Sequence, residues 1–145
     1  MNTPHAQRSP ALTLAQCLSQ AQALGLARVD AQMLLLHSLE RPPHDRAWLL
    51  AHDSDVLTAR QQASWQAALQ RRQAGEPMAY ITGRKDFFGL TLQVDARVLD
   101  PRPDTETLVD WALEAVATRP TPRLLDLGTG SGAIALALQH QRPDA

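Results

Sequence analysis

The sequence predicts an α + α/β chain: a bundle of four to five helices, a β-hairpin linker, and the opening β-α unit of a layered α/β domain. Three observations carry that prediction. Ala and Leu supply 23 of the 145 residues each, a large helix-forming content. Glycines and prolines then punctuate a stretch of alternating apolar and polar residues. Finally, a short apolar run meets three closely spaced glycines and an apolar helical segment.

The elements follow in order. Thr13 caps a first helix whose face is Leu14, Cys17, Leu18, Ala21 and Leu24, with Gly25 as its stop. Asp30 introduces a second with the stripe Ala31, Leu34, Leu35 and Leu39, ended by Pro42-Pro43. Asp45 to about His52 forms a short third helix carrying Trp48. Thr58 caps a fourth that runs to Ala74, where Gly75 and Pro77 forbid continuation. Strand texture begins at Tyr80-Ile81, and Leu90, Leu92 and Val94 alternate with Thr91 and Gln93. Gly83 and Gly89 supply turns, giving a hairpin within about 80–99. Pro101-Arg102-Pro103 enforces extended backbone. Asp104 or Thr105 caps a further helix with Leu108, Trp111, Ala112, Ala115 and Val116 buried. Arg123–Leu127 reads as a strand and Ala133–Leu138 as a helix buried all round. The tryptophans Trp48, Trp65 and Trp111 read as core.

Composition bounds the function classes. The length corresponds to about one domain of ~100–200 residues. Apolar residues at 44% and charged residues at 20% exclude a disordered or collagen-like chain. A net charge of −1 argues against a dedicated nucleic-acid binder. The single cysteine, Cys17, excludes an internal disulfide and a cysteine-cage metal site, and fits a reducing compartment. His5, His37, His44, His52 and His140 show no metal-ligand spacing, so no metal is expected. No stretch approaches the ~20 apolar residues of a membrane span. Met1–Ala11 lack a signal peptide's apolar centre and are expected as a flexible tail, so a soluble cytoplasmic chain is the expectation. The doublets Arg71-Arg72 and Arg84-Lys85 read as solvated.

One segment carries chemistry: Leu124-Leu125-Asp126-Leu127-Gly128-Thr129-Gly130-Ser131-Gly132-Ala133. Glycines here let the backbone take positive φ and approach a ligand, and the helix start offers free N–H groups. Gly128-x-Gly130-x-x-Ala133 satisfies the relaxed dinucleotide pattern. Gly132 makes the spacing G-x-G-x-G and Asp126 precedes it, an arrangement that resembles motif I of the S-adenosylmethionine-dependent methyltransferases. A plain connecting turn is the third reading of the same residues.

Two further segments narrow the choice. Gly75-Glu76-Pro77-Met78-Ala79-Tyr80-Ile81-Thr82-Gly83 and Leu99-Asp100-Pro101-Arg102-Pro103-Asp104-Thr105-Glu106 stand in order before the glycine turn. With it they resemble the bacterial glutamine methyltransferases of the peptide-chain release factors, which carry G-E-P-x-x-Y-I-x-G, L-I-P-R-P-[DE]-T-E and D-x-G-T-G-[ST]-G. The resemblance covers about residues 12–145. It implies a substrate-binding helical bundle over 12–76, a hairpin linker over 77–102, and over 103–145 the truncated start of a Rossmann-like methyltransferase domain.

The resemblance also implies transfer of a methyl group from S-adenosylmethionine to the side-chain amide of the glutamine in the release factors' Gly-Gly-Gln loop. Asp126, Gly128, Thr129, Gly130, Ser131 and Gly132 would hold the donor, with Pro103, Thr105 and Glu106 on the neighbouring wall. Departures are Asp100, where the family commonly has an apolar residue, and length. The family's N-P-P-Y motif, whose Asn and Pro accept from the substrate amide, does not occur in these residues. The chain therefore reads as an N-terminal fragment with no catalytic residue of its own, expected to be inactive alone. Asp144 lies 16 residues after Gly128 and reads as an exposed helix end, not as a ribose-binding acid. Two other readings stay open: a non-catalytic module that binds release factors, and an adenine-type nucleic-acid methyltransferase. The near-neutral charge disfavours the latter.

Overall fold

The structure is a computed structural model and describes residues 11–145. The expected tail, residues 1–11, lies outside the described residues except for Ala11. The chain divides into two compact units, the first ending at Met78 and the second spanning Ala79–Ala145.

The first unit holds α1 (Leu14–Ala23), α2 (Arg28–Ser38), α3 (Arg46–Ala51) and α4 (Ala59–Gln73). Two of these start as expected, each on a capping box. Thr13 accepts from the Gln16 N–H while the Gln16 side chain accepts from the Thr13 N–H, and Thr58 and Gln61 repeat the arrangement. Asp30 is no N-cap. Helix α2 begins at Arg28 behind Ala27, which makes no side-chain cap. Asp30 sits in the first turn, and its carboxylate accepts from Arg72 of α4 at 3.1 Å. The core is Leu14, Cys17, Ala21, Ala31, Leu34, Leu35, Leu36, Leu49, Leu57, Trp65, Ala68 and Leu69. Leu24 stays outside it, exposed at the end of α1. Trp65 is fully buried, and its indole N–H donates to the Gln20 side chain at 3.3 Å. Burial pushes the Cys17 thiol up to about 11, which leaves it unreactive at neutral pH. Trp48 is only half-buried, between the Arg41 guanidinium 3.8 Å from its ring centre and the His52 ring.

The second unit departs from expectation at its start. Tyr80 and Ile81 lie in a short helix, α5 (Met78–Thr82), not in a strand. Gly75 turns the chain at φ +88°, and Pro77 suits a helix entrance, so one helical turn intervenes before the sheet. Strands β1 (Arg84–Phe87) and β2 (Leu90–Gln93) then pair antiparallel, with Phe87 opposite Leu90 and Lys85 opposite Leu92. These four residues share the hairpin's inner face, because side chains alternate along a strand. Arg84, Asp86, Thr91 and Gln93 occupy the other.

A 3₁₀ turn over Pro103–Thr105 leads into α6 (Glu106–Ala115), and α7 (Ala133–Gln141) closes the unit. Phe87, Leu92, Val94, Val109, Ala133, Ala137 and Leu138 form one core, with Phe88, Ala112, Leu113 and Ile134 packed on it. The stripe that α6 buries is thus Val109, Ala112 and Leu113, continued by Val116 just past its end; Ala112 and Val116 are as expected, whereas Leu108, Trp111 and Ala115 face outward. Trp111 is 65% exposed and Leu108 49% exposed, so Trp111 is not core. Helix α7 is not buried all round either, since Leu136 is 49% exposed.

The expected strand at Arg123–Leu127 does not form. Among the described residues the one sheet is β1-β2, and no amide of 123–127 donates a hydrogen bond. Leu125 and Leu127 stand 84% and 83% exposed. β-rich composition supplies only a preference, and a strand exists only where a neighbour takes its backbone groups.

Candidate functional site

The glycine turn has the local geometry its composition demands. Gly128, Gly130 and Gly132 take φ of +75°, +55° and +78°, a region that side chains with a Cβ rarely adopt. A Cβ built on Gly128 would meet nothing within 4 Å, and one on Gly130 only the Gly128 carbonyl at 3.9 Å. The turn is therefore open on its outer side, and conformation, not crowding, is what requires glycine. The Thr129 hydroxyl donates to the Asp126 carboxylate at 2.9 Å, and the Gly132 N–H donates to the Thr129 carbonyl at 2.8 Å. These two bonds order the loop from within.

Helix α7 opens directly from Gly132, in left-handed conformation and with no side-chain cap. This contrasts with the boxed starts of α1 and α4. The first-turn N–H groups of α7 consequently have no side-chain acceptor, and a helix start in that state suits an anionic group. The turn is exposed from Leu127 to Gly130, with Asp126, Ser131 and Gly132 half-buried.

Pro103, Thr105 and Glu106 lie at the start of α6. Thr105 makes no side-chain cap there, and the Glu106 carboxylate accepts from the Phe88 N–H at 2.9 Å. Helices α6 and α7 pack on one another, yet no hydrogen bond joins these three residues to the glycine turn. A cavity of about 330 Å³ opens among Leu108, Leu124, Leu125, Ile134 and Leu138. Of the expected site residues it takes in Asp126 alone, so this aliphatic groove meets the glycine turn only at that acid.

Several contacts matter that the sequence did not foretell. Lys85, the chain's only lysine, points inward and pairs with the buried Asp100 at 3.1 Å. Tyr80 donates to the Val98 carbonyl at 2.7 Å and accepts from the Asp100 N–H at 3.1 Å. Of the basic doublets Arg84 is exposed, as expected, whereas Arg71 pairs with Glu76, Arg72 with Asp30 and Lys85 with Asp100. The inward position of Lys85 in the β alternation was the signal available for the last pair.

Arg142 is the other omission. It donates to the carbonyls of Val116 and Arg119 at 3.0 and 2.9 Å and to the Asp144 carboxylate, clasping the end of α6 to the end of α7. Asp144 also accepts from the Thr121 N–H at 3.2 Å. The Arg142 guanidinium holds the Asp144 carboxyl at about 2. Its contribution to stability is therefore complete above the ordinary range near 3.8 and is lost as pH falls through about 2. Arg142→Ala is expected to return the Asp144 midpoint to the ordinary carboxylate range and to loosen the 116–121 turn. A carbon-detected NMR titration reads the first effect, and an Asp144 midpoint unchanged near 2 would disprove the clasp.

The family model of the PrmC N-terminal domain matches residues 11–83. A curated release factor glutamine methyltransferase of Bordetella pertussis is 50% identical over 121 residues, 83% of this chain and 44% of the relative. The protein of the same name from Escherichia coli (strain K12) is 47% identical over 131 residues, 90% of this chain and 46% of the relative. That of Burkholderia pseudomallei (strain K96243) is 44% identical over all 145 residues, 48% of the relative. The chain spans less than half the length of these curated relatives.

Proposed function

The chain belongs to the family of the PrmC N-terminal domain, and from that premise we propose that it is the front part of a methyltransferase acting on the glutamine side chain of peptide-chain release factors. Similarity to proteins of that name runs past the domain boundary and through the glycine turn, over the full 145 residues in one relative. The observation that carries the reading is the turn itself: three glycines at positive φ, an acid–hydroxyl brace, and an uncapped helix start. Such a site fits a ligand approached by backbone, as S-adenosylmethionine requires.

The bound donor would supply an electrophilic methyl group on its sulfonium. Asp126 would order the turn through Thr129, and Gly128, Thr129, Gly130, Ser131 and Gly132 would line the donor with main-chain groups. Pro103 and Thr105 would stand on the neighbouring wall. The helical bundle would dock the release factor, in a cytoplasmic setting and within translation termination. An amide nitrogen is a poor nucleophile, so acceptors must align its N–H groups with the methyl. The N-P-P-Y segment that the resemblance assigns this task does not occur in these residues, and a polypeptide of these 145 residues alone is expected to be inactive.

Two titrations test this reading. In a longer chain that carries the rest of a relative's length, Gly130→Val is expected to weaken S-adenosylmethionine binding at least ~10-fold, since a β-branched residue resists φ near +55°. Ser131→Ala should change it little. By calorimetry the 145-residue polypeptide should bind the donor far more weakly than the longer chain, because half a pocket leaves polar groups in water. Equal affinity of the two, or a tight-binding Gly130→Val variant, would overturn the assignment. Methyl transfer by the longer chain to nothing but adenine would favour the nucleic-acid reading instead.

A further inference from the structure

The hairpin tip holds a conformational anomaly. Phe88 and Gly89 link β1 to β2 at φ of +47° and +77°, as a two-residue loop with positive φ at both positions requires. Asn, Asp or Gly ordinarily occupies the first of these positions, because a bulky side chain in the left-handed region is strained. A phenylalanine persists there only if its surroundings hold it. Two features do so. Its ring packs on the core that β1, β2, α6 and α7 share, and its N–H, turned out of the ladder, is taken by the Glu106 carboxylate at 2.9 Å.

Glu106 is the first residue of α6, directly after Pro103–Thr105. The other end of this segment is held as well, since Asp100 is tied to Lys85 and to Tyr80. Residues 101–105 are thus suspended between two attachments to the hairpin and α5. We propose that Glu106 is a positioning residue acting through Phe88: it locks the hairpin tip to the first turn of α6 and thereby fixes the wall that Pro103 and Thr105 form. The link to the wall rests on the methyl-donor reading above; the lock itself does not.

Reach and acceptor character, not charge, should govern this role. Glu106→Gln keeps an oxygen at the same distance, whereas Glu106→Asp keeps the charge but is one methylene short. In the 145-residue chain, NMR exchange of the Phe88 amide is expected to rise about 10- to 100-fold in Glu106→Asp and Glu106→Leu. It should rise less than about threefold in Glu106→Gln. The reverse order, with Asp protecting the amide and Gln releasing it, overturns the proposal in favour of a charge role. If Glu106→Leu does not fold, the Gln and Asp variants alone decide. Calorimetric titration of the same substitutions with S-adenosylmethionine, in a longer chain that carries the rest of a relative's length, reads the wall: affinity should follow Phe88 protection across the series. Donor affinity lost in Glu106→Gln while the Phe88 amide stays protected would make Glu106 a direct contact and defeat the inference. A longer wild-type chain without any affinity would count against the donor reading only, because the amide rates would still judge the lock.

Discussion

Replacing Trp65 by alanine is expected to remove most of the helical bundle's stability at room temperature. The indole is fully buried in α4, within a core of leucines and alanines from α1, α2 and α4. The core of this unit also holds Ala21, Ala31 and Ala68, side chains too small to expand into the space that an indole leaves. Truncation of a buried Trp costs about 3–5 kcal/mol, and domains are stable by only about 5–15 kcal/mol in total. A bundle of this size stands near the lower end, because small domains bury a smaller share of their surface. The Gln20 side chain also loses its partner, though it can turn to water. Trp65→Phe keeps most of the volume and should cost far less. Urea denaturation followed by circular dichroism separates the two, and a Trp65→Ala bundle as stable as wild type would show that the packing around α4 is not what holds the helices together.

What was legible in the sequence, and what was not, divides by the range of the interaction. Capping boxes at Thr13 and Thr58 and the glycine stops at Gly25 and Gly75 depend on residues within one turn, and all four stand where the sequence placed them. The glycine turn was legible for the same reason: positive φ at Gly128, Gly130 and Gly132 is a local demand. The errors came from partners far along the chain. Asp30 has the composition of a cap, but Arg72, 42 residues on, claims its carboxylate. Leu108 and Trp111 fall at helical spacing with Ala112, as do Val109, Leu113 and Val116; periodicity alone does not say which stripe meets the hairpin. The Glu106 carboxylate also takes an amide 18 residues earlier, a contact of which its motif gives no sign. Arg142 gave no sign of its clasp, because the carbonyls it takes lie 23 and 26 residues away and only its pairing with Asp144 is local.

Hydrogen exchange should then divide the molecule sharply along the same line. Leu34, Leu35 and Leu36 lie fully buried in the middle of α2, where every amide is inside a helical ladder, so their exchange waits for opening of the bundle. The amides of Leu124, Leu125 and Leu127 have no acceptor, and the side chains around them leave the backbone open to water. Nothing need open before they exchange. In the monomeric 145-residue chain the α2 amides are expected to exchange about a thousandfold more slowly than those of 124–127, given the several kcal/mol that global opening requires. The exposed leucines make the comparison demanding, since any sheet partner that covered them would also take up the amides they flank. Exchange at 124–127 as slow as in α2, at a concentration where sedimentation shows a monomer, would mean that this run is hydrogen-bonded after all and that its composition alone had identified a strand correctly. Slowing that appears only as concentration rises would instead assign the protection to pairing between chains, through the same unsatisfied backbone groups.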